Sequence, residues 1–290
     1  MLQTSRPRRS ALYMPASNAR AVAKARGLAV DVVILDLEDA VLPDQKATAR
    51  DAAAVAVSAG GFGRRELAIR VNGLDTPWGE DDLAMAARVG PDVVLAPKVR
   101  SAADVQAYAG ALASAPERTR LWVMIETVQS IFDLNAIATA APRLGGFVMG
   151  INDLAREMGA RQTPERTPFF ATLALAVTAA RAHGLIVLDG VHNEIDDLEA
   201  LETVCRQGLD FGFDGKTLIH PSHLEICNRV FTPASADVAW ARAVIAAFDA
   251  PENAGKGALR IEGRLAEILH RDQARGLVAV ADAIAVAERG

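Results

Sequence analysis

The stretch RLWVMIET (120–127) shows the pattern on which the fold prediction rests. Its residues Val123, Met124 and Ile125 are apolar without alternation, which is typical of a strand buried on both faces. The run ends at Glu126, and a carboxylate rarely enters a protein interior without a partner. The stretch therefore raises two questions: which sheet contains the strand, and what compensates the charge.

Seven further runs rich in Val, Ile and Leu lie along the chain, and Ala-rich segments with helical spacing separate them. They are SALYM (10–14), VDVVILDLED (30–39), ELAIRVN (66–72), PDVVLAPKV (91–99), GGFVMGIN (145–152), HGLIVLDG (183–190) and GLDFGFDG (208–215). Eight buried strands alternating with helices indicate a closed parallel sheet, so we predict an α/β fold, a (β/α)8 TIM barrel. The alternative is an open doubly wound sheet, but the segment YMPASNAR (13–20) lacks the Gly-rich loop typical of that fold.

The periodicity changes after residue 231. Residues 237–250 are predicted to form a helix, 252–264 a Gly-rich hinge and 265–289 a terminal helix. We therefore predict a barrel domain over 1–231 and a C-terminal helical extension over 232–290 that closes as a lid. A terminal helix packed permanently on the barrel or on another subunit is the alternative.

Composition excludes several classes of function. Of the 290 residues, 51% are hydrophobic and 23% charged, which is typical of a globular chain. A net charge of -5 gives no electrostatic reason for nucleic-acid binding, and no apolar run reaches the ~20 residues that span a bilayer. The two cysteines have no CxxC spacing, which favours a reducing compartment. We expect a soluble cytoplasmic protein that binds a small molecule.

The carboxyl ends of the strands in a barrel meet at one mouth, where active sites form. Glu126 and Asp153 follow consecutive predicted strands, so they could reach a common cation. Mg²⁺ accepts one or two carboxylates and fills its remaining positions with water and substrate oxygens. Arg70 follows strand three, and its guanidinium could bind a substrate carboxylate through two hydrogen bonds. The alternative is a closed ion-pair network that only stabilises the mouth.

Other polar residues at the predicted strand ends leave more alternatives open. Asp36 and Glu38 are expected on one face of strand two and Asp39 on the other. Asp36 and Glu38 could orient the metal ligands without binding the metal themselves. Alternatively, an acid here could cap the helix that follows or form a salt bridge with it. His220 could be a base or a structural residue of its turn. Lys98 could neutralise a neighbouring acid.

Seven motifs in order resemble the citrate lyase β-subunit family, within the HpcH/HpaI aldolase/citrate lyase superfamily. This family includes malyl-CoA and citramalyl-CoA lyases and a malyl-CoA thioesterase. The motifs are RSALYMPASNARAVAKA (9–25), DVVILDLEDAVLPDQK (31–46), IRVNGLDTPWGEDDL (69–83), APKV (96–99), IET (125–127), GINDL (150–154) and GFDGKTLIHPSH (212–223). They cover almost the whole chain, and the family fold is a TIM barrel.

The resemblance implies a role for each matching position. Glu126 and Asp153 correspond to the Mg²⁺ ligands, and Arg70, together with Glu126, corresponds to the group that holds a keto-acid. The reaction would be a reversible Claisen cleavage of a 3-hydroxy-dicarboxylyl-CoA, such as citryl-CoA, malyl-CoA or citramalyl-CoA, to an acyl-CoA and a keto-acid such as oxaloacetate. The resemblance also implies a homo-oligomer, a trimer or a hexamer.

On the coenzyme A side, the resemblance implies that Tyr13, Arg20 and Lys24 face the thioester, with the backbone around Thr217 and Leu218 nearby. Arg20 and Lys24 are four residues apart on one predicted helix face, a spacing that could hold one phosphate group.

One segment departs from the family pattern. Lyases with a C-terminal lid carry a Met-Ile-Asp motif whose Asp is the catalytic acid/base, whereas this chain has Glu267 at that place in EGRLAEILH (262–270). Glu is longer by one methylene, and a small displacement of a catalytic carboxylate is costly. Two alternatives to the lyase therefore remain: a malyl-CoA-type thioesterase and a partner subunit of a multi-subunit citrate lyase.

Overall fold

The structure is a computed structural model that describes residues 6–289. Eight parallel strands form a closed barrel in chain order, and β1 pairs with both β2 and β8. This confirms the predicted (β/α)8 barrel. The strands are β1 Ser10–Pro15, β2 Val32–Asp36, β3 Glu66–Arg70, β4 Val93–Ala96, β5 Arg120–Ile125, β6 Leu144–Met149, β7 Ile186–Asp189 and β8 Gly215–Leu218.

Helices surround the barrel and bury the outer face of the strands. The larger hydrophobic cluster fills the layer between strands and helices, while a smaller one, including Ile34, Leu95 and Trp122, fills the barrel interior. Strands that are buried on both faces explain the unbroken apolar runs in the sequence. The helices are α1 Ala19–Ala25, α2 Lys46–Ala59, α3 Gly79–Val89, α4 Ala102–Ala111, α5 Val128–Thr139, α6 Ile151–Met158, α7 Phe170–Ala182, α8 Leu198–Phe211 and α9 Leu224–Phe231.

The eighth strand lies later in the chain than residues 208–215, where the sequence predicted it. The apolar residues at the start of that run belong to the last turn of α8, which ends at Gly212 in a left-handed conformation with φ 93°. Asp214 consequently precedes β8 and lies at the end of the barrel opposite the mouth, where it accepts a hydrogen bond from Arg181 Nη2 at 2.7 Å. The predicted bounds of the eighth strand are therefore wrong, and Asp214 does not follow it.

The chain divides into two compact units, and the barrel unit is Arg8–Phe231. The unit that starts at Thr232 contains a helix, an antiparallel hairpin and a second helix. These elements are α10 Ser235–Asp249, β9 Ala258–Ile261, β10 Arg264–Glu267 and α11 Ile268–Glu288. Among residues 6–289, no helix has the length and apolar character needed to cross a membrane.

The hairpin corrects two predicted boundaries in the C-terminal unit. Part of the predicted hinge over 252–264 is strand, and the terminal helix begins at Ile268 instead of 265. The two strands meet at Glu262 and Gly263, whose φ angles are 48° and 83°. Two consecutive positive φ angles form the tight turn that suits the twist of a hairpin, so the glycine serves this turn.

Candidate active site at the barrel mouth

Glu126 follows β5 and is buried, with only 1% of its surface exposed. The backbone N–H of Lys98 donates to its Oε1 at 2.6 Å. No hydrogen bond from residues 6–289 reaches Oε2. A Cβ added at Gly150 would lie 2.3 Å from that oxygen, so glycine is required there. Oε2 therefore faces the start of α6.

The protonation of Glu126 is strongly perturbed. Burial, followed by the nearby charge of Glu38, raises the pKa of Glu126 to about 8, although Arg70 and the Lys98 N–H oppose this change. Ionised Glu126 thus lacks enough positive charge around it. At neutral pH a proton compensates the charge of this acid, and a bound cation would replace that proton.

Asp153 lies in the first turn of α6 and not at the end of β6 as the sequence predicted. The helix starts directly after Gly150, so no loop separates it from the strand, and a carboxylate is favourable near a helix N-terminus. Its Oδ1 lies 2.6 Å from Arg156 Nη2, whose side chain is 70% exposed. Such exposed pairs contribute about 0–1 kcal/mol, so Asp153 remains available to a cation.

Arg70 ends β3, is buried, and pairs with acids from β2. Its Nε and Nη2 each donate to one Asp36 oxygen at 2.6 Å, and its Nη1 lies 2.9 Å from Glu38 Oε2. Asp36 and Arg70 are register partners on neighbouring strands. The ion-pair network therefore exists, but it joins Arg70 to Asp36 and Glu38 and excludes Glu126 and Asp153.

The acids after β2 face the same side, contrary to the predicted alternation. Asp39 Oδ2 lies 3.6 Å from Arg70 Nη1 and its Oδ1 lies 3.6 Å from Lys98 Nζ, which also contacts Glu38 Oε1. The prediction was wrong because β2 ends at Asp36, so strand alternation does not reach Asp39. Asp36 does not cap the next helix either. Its carboxylate accepts hydrogen bonds from the backbone N–H groups of Glu38 and Ala40.

Tyr13 points into the barrel beside Arg70, whose guanidinium carbon lies 4.8 Å from the centre of the ring. The Tyr13 hydroxyl donates to the sulfur of Met124 at 3.9 Å, and Arg70 Nη1 donates to the same sulfur at 3.7 Å. Burial raises the pKa of Tyr13, so its hydroxyl keeps its proton at neutral pH. A thioether is a weak acceptor, which leaves both donors available for a stronger one.

The four remaining residues that the resemblance assigns to the coenzyme A side fall into two groups in the structure. Arg20 and Lys24 lie on α1, are exposed, and make no ion pair within residues 6–289. Thr217 and Leu218 lie inside β8 with fully buried side chains, and Thr217 Oγ1 donates to the carbonyl of Asp189 at 3.0 Å. A ligand could meet only their backbone.

Sequence reasoning missed the importance of two residues near the mouth. Lys46 is buried, and its Nζ donates to the carbonyls of Leu37 and Glu38 and to Asn72 Oδ1 at 2.7–2.8 Å. It thus fixes the segment that presents Glu38. Gly150, described above, leaves room for Glu126. The available signals were a Lys eight residues after Glu38 and the glycine of the GIND motif.

The oxygen donors at the mouth are compatible with Mg²⁺. Residues 6–289 contain no group of three or more His, Cys, Asp or Glu side chains arranged to hold an ion. Glu126 and Asp153 offer two carboxylates, and Mg²⁺ keeps several waters and needs no complete protein cage. Oxygen donors without sulfur or imidazole also suit this hard cation.

The match to a family model covers most of the barrel. Residues 9–221 match the model described as HpcH/HpaI aldolase/citrate lyase. The chain belongs to this family. The resemblance inferred from the motifs is confirmed, and so is the prediction that the chain is an enzyme, because members of the HpcH/HpaI family are lyases or thioesterases acting on CoA esters.

Two curated relatives and one solved structure illustrate the range of the HpcH/HpaI family. A (3S)-malyl-CoA thioesterase of Cereibacter sphaeroides is 48% identical over 285 residues, 98% of each chain. An L-malyl-CoA/beta-methylmalyl-CoA lyase of the same species is 35% identical over 97% of this chain and 96% of its own. The structure of CitE from Mycobacterium tuberculosis in complex with magnesium, acetoacetate and coenzyme A is 29% identical, with a TM-score of 0.75 over 94% of this chain and 97% of that one.

Glu267 is the one residue predicted for the chemistry of this HpcH/HpaI protein that belongs to the C-terminal unit. It is exposed and directly precedes α11, and its backbone N–H donates to His270 Nδ1 at 2.9 Å. A carboxylate at this place also stabilises the helix N-terminus. Its catalytic role stays a prediction.

The raised pKa of Glu126 gives a prediction for metal binding in this HpcH/HpaI protein. A cation must displace the proton from Glu126, so the affinity for Mg²⁺ should rise about tenfold per pH unit from pH 6 to 8 and level off above. Titration calorimetry in two buffers of different ionisation enthalpy would measure both the affinity and the protons released. An affinity that is constant from pH 6 to 8 would contradict this assignment.

Proposed function

We propose that the protein is a Mg²⁺-dependent thioesterase that hydrolyses a 3-hydroxy-dicarboxylyl-CoA of the malyl-CoA type. The observation that carries the proposal is the buried carboxylate of Glu126, whose unbonded Oε2 faces the helix of Asp153. The choice of hydrolysis is supported by the thioesterase relative, which is similar over nearly the full length of both chains. Water adds across the C–S bond, and the products are a hydroxy acid and free coenzyme A.

The residues of the mouth divide this chemistry between them. Mg²⁺ held by Glu126 and Asp153 would polarise a substrate oxygen. Tyr13, which keeps its proton, donates a hydrogen bond to negative charge that develops on an oxygen. Arg70 supplies a buried positive charge for the distal carboxylate, which would approach Nη1 and share it with Glu38, because Asp36 already occupies Nε and Nη2.

The coenzyme A portion would lie on the β1 side of the mouth. Arg20 and Lys24 are exposed cations on the helix that follows β1, and phosphate groups bind such cations. The exposed residues Ile219 and His220 follow β8, which is the neighbour of β1 in the barrel. Contact with the backbone next to Thr217 and Leu218 remains part of the proposal.

Carbon–carbon cleavage is the second candidate function, and the malyl-CoA lyase relative favours it. In this reaction a base removes the hydroxyl proton, the bond between the hydroxyl-bearing carbon and the α-carbon breaks, and the α-carbon takes up a proton, so the products are an acyl-CoA and a keto-acid. The same residues, Glu126, Asp153 and Arg70, would bind the substrate. Only the products separate the two reactions.

A panel of acyl-CoA substrates incubated with Mg²⁺ would test the proposal, with the products resolved by mass. The thioesterase predicts malate and free coenzyme A from malyl-CoA, and the lyase predicts glyoxylate and acetyl-CoA. Chelation of Mg²⁺ should abolish either reaction. Absence of turnover with malyl-CoA, citramalyl-CoA and citryl-CoA would refute both candidates.

The role proposed for Glu267 gives a separate prediction. If it activates water or transfers a proton, Glu267→Gln should lower acyl-CoA turnover by about 10²-fold or more, since general acid–base catalysis contributes that much. Mg²⁺ affinity should be unchanged. Glu262→Gln, an exposed change in the neighbouring turn, is the matched control. Turnover of the Glu267→Gln variant at the wild-type rate would show that this carboxylate is not the acid/base.

A further inference from the structure

Lys98 has an unusual backbone for a residue with a long side chain. It follows β4 with φ 52°, and it is one of three non-glycine residues with positive φ among residues 6–289. This left-handed conformation is unfavourable for residues other than glycine. It persists where the surrounding structure fixes it, often at functional sites. In Lys98 this conformation is accompanied by contacts with acids that follow two different strands.

The two ends of Lys98 contact different carboxylates. Its backbone N–H donates to Glu126 Oε1 at 2.6 Å. Its ammonium contacts Glu38 Oε1 and lies 3.6 Å from Asp39 Oδ1. Lys98 therefore lies between Glu126 and the acids that follow β2 and contacts both.

The acids of the mouth consequently fall into two sets. Asp36, Glu38 and Asp39 all have a Lys or Arg nitrogen within 3.6 Å. Glu126 receives only a neutral N–H, and no Lys or Arg of residues 6–289 lies within ion-pair distance of it. Glu126 is therefore the acid of these four that has no cationic side chain beside it among the described residues.

We propose that Lys98 is a positioning residue that sets the preference of the site for Mg²⁺ over Ca²⁺. Its ammonium keeps Glu38 out of the coordination sphere, and its N–H occupies Oε1 so that Glu126 offers one oxygen. This inference rests on the metal site of the proposed function, and it adds the selectivity of that site.

Coordination chemistry gives the reason for the effect on selectivity. Mg²⁺ requires near-ideal octahedral geometry and takes one or two carboxylates with several waters, whereas Ca²⁺ accepts six to eight oxygens, including both oxygens of one carboxylate. Removal of the ammonium would leave Glu38 Oε1 without its cation, while Oε2 stays 2.9 Å from Arg70 Nη1, so this carboxylate would have one oxygen available for a metal. An additional carboxylate at the site would favour Ca²⁺.

Titration calorimetry of the full chain with Mg²⁺ and with Ca²⁺ would test the proposal. Lys98→Met removes the ammonium and keeps the bulk, and the ratio of the two dissociation constants should shift toward Ca²⁺ by about tenfold or more. Lys98→Arg should keep the ratio near that of the wild type. Glu38→Gln, added to Lys98→Met, should reverse most of the shift. Lys98→Gly, which tolerates a positive φ, removes the same charge and should shift the ratio in the same direction.

The outcomes separate this inference from the proposed function. A wild-type protein that does not bind Mg²⁺ would overturn both. If the wild type binds Mg²⁺ but Lys98→Met and Lys98→Gly retain its ratio, the inference alone is overturned. A shift that Glu38→Gln does not reverse would overturn the role given to Glu38.

Discussion

Glu126→Gln is expected to reduce the affinity for Mg²⁺ by more than about 100-fold, because loss of a residue that merely supports a ligand already costs 10–100-fold. Turnover of acyl-CoA should fall with it. The variant should also be more stable than the wild type in the absence of metal at pH 9. The pKa of Glu126 is raised to about 8, so the protonated form stabilises the fold and this contribution is lost as pH rises through 8.

The amide of Gln cannot ionise, so the variant has no buried charge above pH 8. The free energy of unfolding of the metal-free variant should therefore exceed that of the metal-free wild type by on the order of a few kcal/mol above pH 8. Thermal unfolding at pH 6 and pH 9 with a chelator would measure this difference. Glu66→Gln is the matched control, since Glu66 is a buried acid at the opposite end of β3 that pairs with Arg8. Equal Mg²⁺ affinity in Glu126→Gln and wild type would refute the assignment.

Removal of Arg70 is expected to have the largest effect on stability. Asp36 is fully buried, and Arg70→Met would leave its charge without the guanidinium that donates to both oxygens. Breaking a buried pair in this way costs about 3–5 kcal/mol. Denaturant unfolding would measure the loss, and binding of oxaloacetate or glyoxylate would report the predicted loss of the substrate anchor.

A second change separates these two roles of Arg70. Asp36→Asn, added to Arg70→Met, removes the orphaned charge and keeps an oxygen for the N–H groups of Glu38 and Ala40. We expect it to restore more than half of the lost stability without restoring keto-acid binding. If the double variant binds keto-acid like the wild type, Arg70 serves the fold alone.

The barrel could be predicted from sequence because strands buried on both faces leave unbroken apolar runs, such as the one that ends at Glu126. The eighth strand was misplaced because Leu209 and Phe211 are apolar residues of a helix end. Periodicity over so short a run cannot distinguish the end of a buried helix from a strand. The hairpin at Glu262 and Gly263 was missed because its turn was attributed to a hinge.

The mouth could be predicted only in part. Which polar residues follow the strands is visible in the sequence, but which of them pair depends on register, as for Asp36 and Arg70. Asp153 was placed at a strand end because the immediate start of α6 has no clear signal. The positive φ of Lys98 could not be predicted, because it depends on contacts with Glu126 and Glu38 that only the fold creates.

The central claim is the position of the metal, and anomalous diffraction locates it most directly. Crystals of the wild-type protein grown with Mn²⁺ in place of Mg²⁺ should show one anomalous peak at the mouth, in contact with Glu126 Oε2 and a carboxylate oxygen of Asp153. The Glu38 carboxylate should remain paired with the Lys98 ammonium. A peak coordinated by Glu38 or Asp39, or the absence of any peak beside Glu126 when the metal is in excess, would contradict the account.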